Sequence, residues 1–150
     1  IPRSIRPPLI SCYREGMNYG LHVDDALMGR GSQKARSDVS VTVALNSPED
    51  YDGGELVIHS PFGEQEVKPP AGAAVVYPSS AVHRVAPVRS GERLAAVTWV
   101  QSYVRDPEMR EILYDLYQVR EMLAKADPEG EETALAGKTY TNLLRMWSET

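Results

Sequence analysis

The sequence predicts a mainly β chain, a sandwich or jelly-roll barrel followed by two helices, and three observations carry that expectation. Val39, Val41, Val43 and Leu45 alternate with Ser40, Thr42 and Ala44, which is the period of a half-buried strand. Short β-rich runs follow one another up to about Tyr103, separated by turn residues rather than by helical patterns. After Asp106 the apolar spacing changes to that of a helix. A parallel βαβ sheet is disfavoured by the same arrangement.

The other strand-like runs are Glu55–His59, Gln65–Lys68, Ala73–Tyr77, Val82–Val85 and Leu94–Gln101. Turn signals stand between them: Ser47-Pro48, Asp52-Gly53-Gly54, Ser60-Pro61-Phe62-Gly63, Pro69-Pro70-Ala71-Gly72 and Ser90-Gly91. Asp106-Pro107-Glu108 reads as a helix start, because Asp can cap, Pro fits the first helical position and Glu suits the dipole. Met109, Ile112, Leu113, Leu116, Met122 and Leu123 keep helical spacing until Asp127-Pro128-Glu129-Gly130 stops the run. A second helix is expected over about Glu132–Trp147, with Leu135, Leu143, Leu144 and Trp147 as its apolar set. The expected division is a core over residues 1–104 and a C-terminal helical extension over residues 105–150. The helices would cover one face of the core or pair between subunits as a homo-oligomer.

Composition narrows the function classes. With 150 residues, 42% apolar and 25% charged, the chain suits one ordinary domain and not disorder, collagen or coiled coil. Sixteen basic against 21 acidic residues leave a net charge of -5, which argues against nucleic acid or an anionic membrane as partner. No apolar run has the length of a membrane span. The single cysteine, Cys12, permits no internal disulfide and fits a reducing, cytoplasmic setting; it is expected to be a small buried hydrophobe. The chain opens at Ile1, which reads as a fragment or a trimmed product.

Three histidines are present, and one lies in His22-Val23-Asp24. On a strand, residues two apart project to one face, so an imidazole and a carboxylate can grip one metal ion. His83 is the best candidate for a third ligand. Two histidines and one carboxylate leave the other positions on a metal open, which is the arrangement of non-haem Fe(II) oxygenases, and a Cys-rich zinc site is excluded. Arg93, ten positions beyond His83, can hold a distal carboxylate through paired charge-assisted hydrogen bonds. The plain alternatives are a solvated His-x-Asp and a surface arginine after the Ser90-Gly91 turn. His59 reads as structural. The basic segment Met28–Arg36 is a solvated loop or a mobile lid over the substrate. By strand parity Trp99 shares the face of Arg93, and either walls the pocket or fills the core. Asp25 should point away from the metal.

Together these residues resemble the Fe(II)/2-oxoglutarate-dependent dioxygenases, and especially the bacterial PKHD-type branch of the prolyl/lysyl hydroxylase-like enzymes. The stretches that carry the resemblance are Tyr13–Asp24, Tyr51-Asp52-Gly53-Gly54-Glu55-Leu56, His83-Arg84-Val85, and Arg93 with Trp99. It covers roughly residues 4 to 104. It implies a double-stranded β-helix core, Fe(2+) on His22, Asp24 and His83, and 2-oxoglutarate on Arg93, with Tyr13 facing the cosubstrate. It also implies O2 as co-substrate, decarboxylation of 2-oxoglutarate to succinate, and hydroxylation of a C–H bond of an amino-acid or peptide-like substrate. L-ascorbate (vitamin C) as reductant and a link to bacterial iron uptake come with the likeness. No catalytic residue beyond the metal site is expected. Two departures stand out. A tyrosine that helps bind the cosubstrate is replaced by Ala44, so Ser40 and Thr42, on the same strand face, are expected to line the pocket instead. The segment that precedes the core in PKHD-type proteins is expected to be missing. The competing readings are a non-catalytic metal-binding jelly-roll module and a cupin-like metalloenzyme.

Overall fold

A computed structural model describes residues 1–31 and 34–149 of the chain. Strands outweigh helix, 42% against 28%. The chain divides into two compact units, Pro2–Gln101 and Ser102–Thr150 together with Ile1.

The first unit is built from antiparallel sheets. Its strands are β1 (Pro2–Ile5), β2 (Leu9–Arg14), β3 (Tyr19–His22), β4 (Leu27–Met28), β5 (Ala35–Arg36) and β6 (Val39–Ala44). After a 3-10 turn at Pro48–Asp50 come β7 (Tyr51–Gly53), β8 (Leu56–Ser60), β9 (Gly63–Val67), β10 (Ala74–Pro78), β11 (His83–Val85) and β12 (Val88–Ser102). One sheet runs β1-β12-β6-β10, with β2 and β7 also paired to β12; a second runs β3-β11-β8-β9; β4 and β5 form a ribbon. The two larger sheets line one cavity between them, which makes this a jelly-roll core.

Register decides what faces that cavity. On β12, Arg93 lies opposite Tyr13 of β2, and Trp99 opposite Ser40 of β6. Tyr77 of β10 lies opposite Ser40 from the other side. The alternation in β6 is as expected, but its buried side is Ser40, Thr42 and Ala44, while the valines are half-buried. Ser40 and Ala44 are smaller than the valines they alternate with and so leave room in the sheet interior.

Several expectations shift. The Ser90-Gly91 signal does not end a strand; β12 passes through it with a register irregularity between Val88 and Ser90. Gly91 has φ 77°, and a Cβ there would come within 2.3 Å of the Asp50 carbonyl oxygen, so the bulge requires glycine. His22 is the last residue of β3, and Asp24 lies beyond it. The strand stops because its partner β11 begins at His83, directly opposite His22. The alternation of exposed and half-buried residues nevertheless continues through Leu21, His22, Val23 and Asp24, so Asp24 keeps to the side of His22 without a ladder partner. Cys12 is exposed, on the outward side of β2. Ser32 and Gln33 of the basic segment lie outside the described residues.

In the second unit, α1 (Pro107–Ala126) starts on Asp106, whose carboxylate accepts from the Glu108 and Met109 amides. It stops at Asp127, and α2 covers Glu131–Trp147. The Arg120 guanidinium lies 5.0 Å from the ring centre of Tyr117 and 4.8 Å from that of Tyr140, joining the two helices. Leu113 is buried, whereas Ile112 and Met122 of the expected apolar stripe are exposed. Among the described residues no helix is long and apolar enough to cross a membrane.

Candidate active site

The antiparallel pairing of β3 and β11 sets His22 and His83 side by side, their ring centres 4.2 Å apart. Each imidazole is oriented from behind in the same way. His22 Nδ1 lies 2.8 Å from the Gly20 carbonyl, and His83 Nδ1 lies 2.9 Å from that of Ala81. A carbonyl only accepts, so each Nδ1 donates, and Nε2 is the ring atom left to face a metal. Those Nε2 atoms each lie 3.9 Å from Asp24 Oδ1. The three donor atoms all fall within 4.8 Å of one another. Two imidazoles tied by outer hydrogen bonds, one carboxylate and no thiolate suit a ferrous ion with open coordination positions.

Asp24 is anchored through its other oxygen. Ser40 Oγ donates to Oδ2 at 2.5 Å, and Ser79 Oγ lies 2.8 Å behind Ser40. Oδ2 thus points into the sheet and Oδ1 towards the imidazoles.

A cavity of about 200 Å³ opens from this cluster and is shared by Arg93. Arg93 is 6% exposed, and its guanidinium lies 5.3 Å from the ring centre of Tyr13. No Asp or Glu among the described residues pairs with it. A buried guanidinium is costly unless an anion meets it, so this one is poised for an acidic ligand. Its stem and the Tyr51 ring rest on Gly54, where a Cβ would come within 3.1 Å of Arg93 Cδ and Tyr51 Cε2.

Leu9, Leu56, Val85, Val97 and Trp99 add apolar and aromatic wall, with Ser11 and Thr42 as hydroxyl-bearing members. The indole Nε1 of Trp99 is buried with no partner among the described residues. Tyr77 packs edge-on to His83 at 5.0 Å. Burial pushes the Tyr77 hydroxyl above its ordinary range, against a hydrogen bond from Thr42 that pulls the other way. Burial likewise raises Tyr13, with Arg93 opposing it.

The fold therefore brings His22, Asp24, His83, Arg93, Tyr13, Thr42 and Trp99 to one cavity. Ser40 is not on that wall: its hydroxyl is turned to Asp24 instead. Tyr19 is 52% exposed at the cavity edge, against His22. His59 sits on the β8–β9 hairpin, its Nε2 3.3 Å from Glu64 across the strands. Tyr77 was not anticipated, although strand parity in β10 puts it on one face with Val75. Nothing local signals Ser79.

The sequence model of the 2OG-Fe(II) oxygenase superfamily matches residues 8–101. A PKHD-type hydroxylase of Synechococcus sp. (strain JA-2-3B'a(2-13)) is 53% identical over 148 residues, 99% of this chain and 66% of that protein. One from Maricaulis maris (strain MCS10) has the same identity and coverage. The chain thus spans just under two thirds of the length of these curated relatives. Among solved structures, a Pseudomonas putida prolyl-4-hydroxylase is similar with a TM-score of 0.54 and 30% identity, over 67% of this chain and 54% of that one. A viral collagen prolyl hydroxylase from Paramecium Bursaria Chlorella virus-1, at 21% identity and TM-score 0.52, shares the fold over 66% of this chain and 60% of its own. A match over more than half the sequence, on a jelly roll with this donor set, has one meaning: the chain belongs to the 2OG-Fe(II) oxygenase superfamily.

Proposed function

We propose that this chain is the catalytic core of an Fe(II)- and 2-oxoglutarate-dependent hydroxylase acting on a C–H bond of an amino-acid or peptide-like substrate. His22, Asp24 and His83 hold the iron through Nε2, Oδ1 and Nε2. When bound, iron and 2-oxoglutarate together supply the activation of dioxygen, with succinate and carbon dioxide as co-products. Arg93 receives the far carboxylate of 2-oxoglutarate through paired charge-assisted hydrogen bonds, beside Tyr13. Thr42 and Trp99 line the space between the two ends, and the apolar wall keeps water from it.

The observation that carries this reading is the buried Arg93 guanidinium, which opens into the cavity of the histidine–carboxylate cluster and meets no carboxylate of the described residues. A cupin-like enzyme needs no such cation, and a non-catalytic module would use it only to bind an acidic ligand without turnover. The names of the relatives, PKHD-type hydroxylase and prolyl-4-hydroxylase, support the substrate class.

Anaerobic addition of 2-oxoglutarate to the Fe(II)-loaded protein tests it. A weak visible charge-transfer band is expected, followed in air with ascorbate by succinate release that rises with the right amino-acid or peptide. No band and no succinate would leave a non-catalytic metal module as the better account.

A further inference from the structure

We infer that Ser40 and Ser79 are positioning residues, a buried two-hydroxyl relay that holds Asp24 as a one-oxygen ligand; the inference rests on the reading that His22, Asp24 and His83 bind a divalent metal. Ser40 is 0% exposed and Ser79 3%. Both are sealed from the solvent that would otherwise compete for their protons.

The direction of the relay follows from the donor inventory. An ionised carboxylate only accepts, so Ser40 must spend its single proton on Asp24 Oδ2. The Ser40 oxygen then accepts from Ser79, 2.8 Å away. Each hydroxyl polarises the next, and the charge-assisted end falls on the carboxylate. With Oδ2 held this way, Oδ1 is left for the ion.

Topology makes the relay a clamp between segments distant in sequence. Ser40 sits on β6, where sheet pairing fixes it between Tyr77 and Trp99. Asp24 follows β3, whose pairing ends at His22, so no ladder bond continues to it. Ser79 follows β10 in the short connection that leads to His83, and its amide donates to the Asp38 carbonyl at 3.2 Å. The relay thus ties the loop carrying one ligand to the connection carrying another, with a rigid strand as the common base. A hydroxyl buried this deeply must find a partner, and the partners here are the candidate ligand carboxylate on one side and a second buried serine on the other.

The test is anaerobic titration of metal-free protein with Co(II) alone, followed by visible absorption. Ser40→Ala is expected to weaken Co(II) binding roughly 10- to 100-fold, the usual cost of removing an outer partner of a metal ligand. Its absorption should also change, because the released carboxylate can turn and chelate through both oxygens. Ser79→Ala, which strips only the outer hydroxyl, should lose severalfold, and Ser40→Thr should recover most of the wild-type affinity. The melting temperature of each metal-free variant separates a packing role, which would lower it without touching affinity. Co(II) affinity and spectrum unchanged in a folded Ser40→Ala would overturn the inference; if that variant does not fold, an unchanged Ser79→Ala does so. Failure of the wild-type protein to bind Co(II) would instead overturn the metal reading beneath it.

Discussion

Arg93 and Tyr13 are directly opposed across the β12–β2 ladder, and the guanidinium lies 5.3 Å from the ring centre. The ring stands beside the cation without neutralising it, and Arg93 is part of the cavity lining. Arg93→Lys should therefore keep the charge but lose the two-pronged grip. Its 2-oxoglutarate KM is expected to rise roughly 10-fold, and that of Arg93→Ala roughly 100-fold, in line with about 1.5–3 kcal/mol for hydrogen bonds to charged groups. Fe(II) affinity measured without 2-oxoglutarate should stay at the wild-type value in both. Unaltered KM in both variants would remove Arg93 from the cosubstrate site.

Gly54 supports the same arginine. Its φ is +66°, and an added Cβ would press at 3.1 Å on Arg93 Cδ, Tyr51 Cε2 and Val88 Cγ2. Gly54→Ala combines backbone strain of about 1–3 kcal/mol with displacement of Arg93. A lower melting temperature and a weaker 2-oxoglutarate affinity should appear together. A loss of stability with unchanged affinity would show that Arg93 tolerates the shift.

Trp99 carries a buried N–H with no partner among the described residues, on the cavity wall. Trp99→Phe keeps the aromatic bulk and removes the donor. The expected outcome is a severalfold rise in KM for 2-oxoglutarate or for the substrate, with metal binding unchanged. Which of the two constants moves identifies the acceptor, and no change in either would make the indole a packing group.

Tyr77, Tyr13 and Tyr51 are each held above the ordinary tyrosine value of 10.0 by burial. Each native hydroxyl keeps its proton at a pH where the unfolded chain begins to release it. Their contribution is thus complete below pH 10 and is lost as pH rises through the higher native values. Urea unfolding midpoints between pH 8 and 11.5 should fall above pH 10, and the fall should be shallower in Tyr77→Phe. An identical alkaline slope in that variant would show that Tyr77 does not contribute.

The start of α1 was legible from Asp106-Pro107 because a cap bonds amides two and three residues away, within one local stretch. The two histidines and the carboxylate were legible as types with metal-binding spacing, and Arg93 as a cation on a strand. What holds Asp24 beyond the end of the ladder was not. Alternation predicts a shared face, and the exposed/half-buried alternation does run on to Asp24, although the ladder to β11 ends at His22.

By itself, then, the sequence determined the β-rich class, the helix starts and the inventory of donor side chains, all set by short-range periodicity and residue chemistry. Tertiary structure alone decided that Ser40 stands behind Asp24 rather than on the cavity wall, that Ser79 stands behind Ser40, and that Tyr77 covers His83. Those contacts join residues 16 and 39 positions apart in the two serine bonds. They depend on which residues sheet register sets face to face, and register is a property of paired strands that no single run of residues contains.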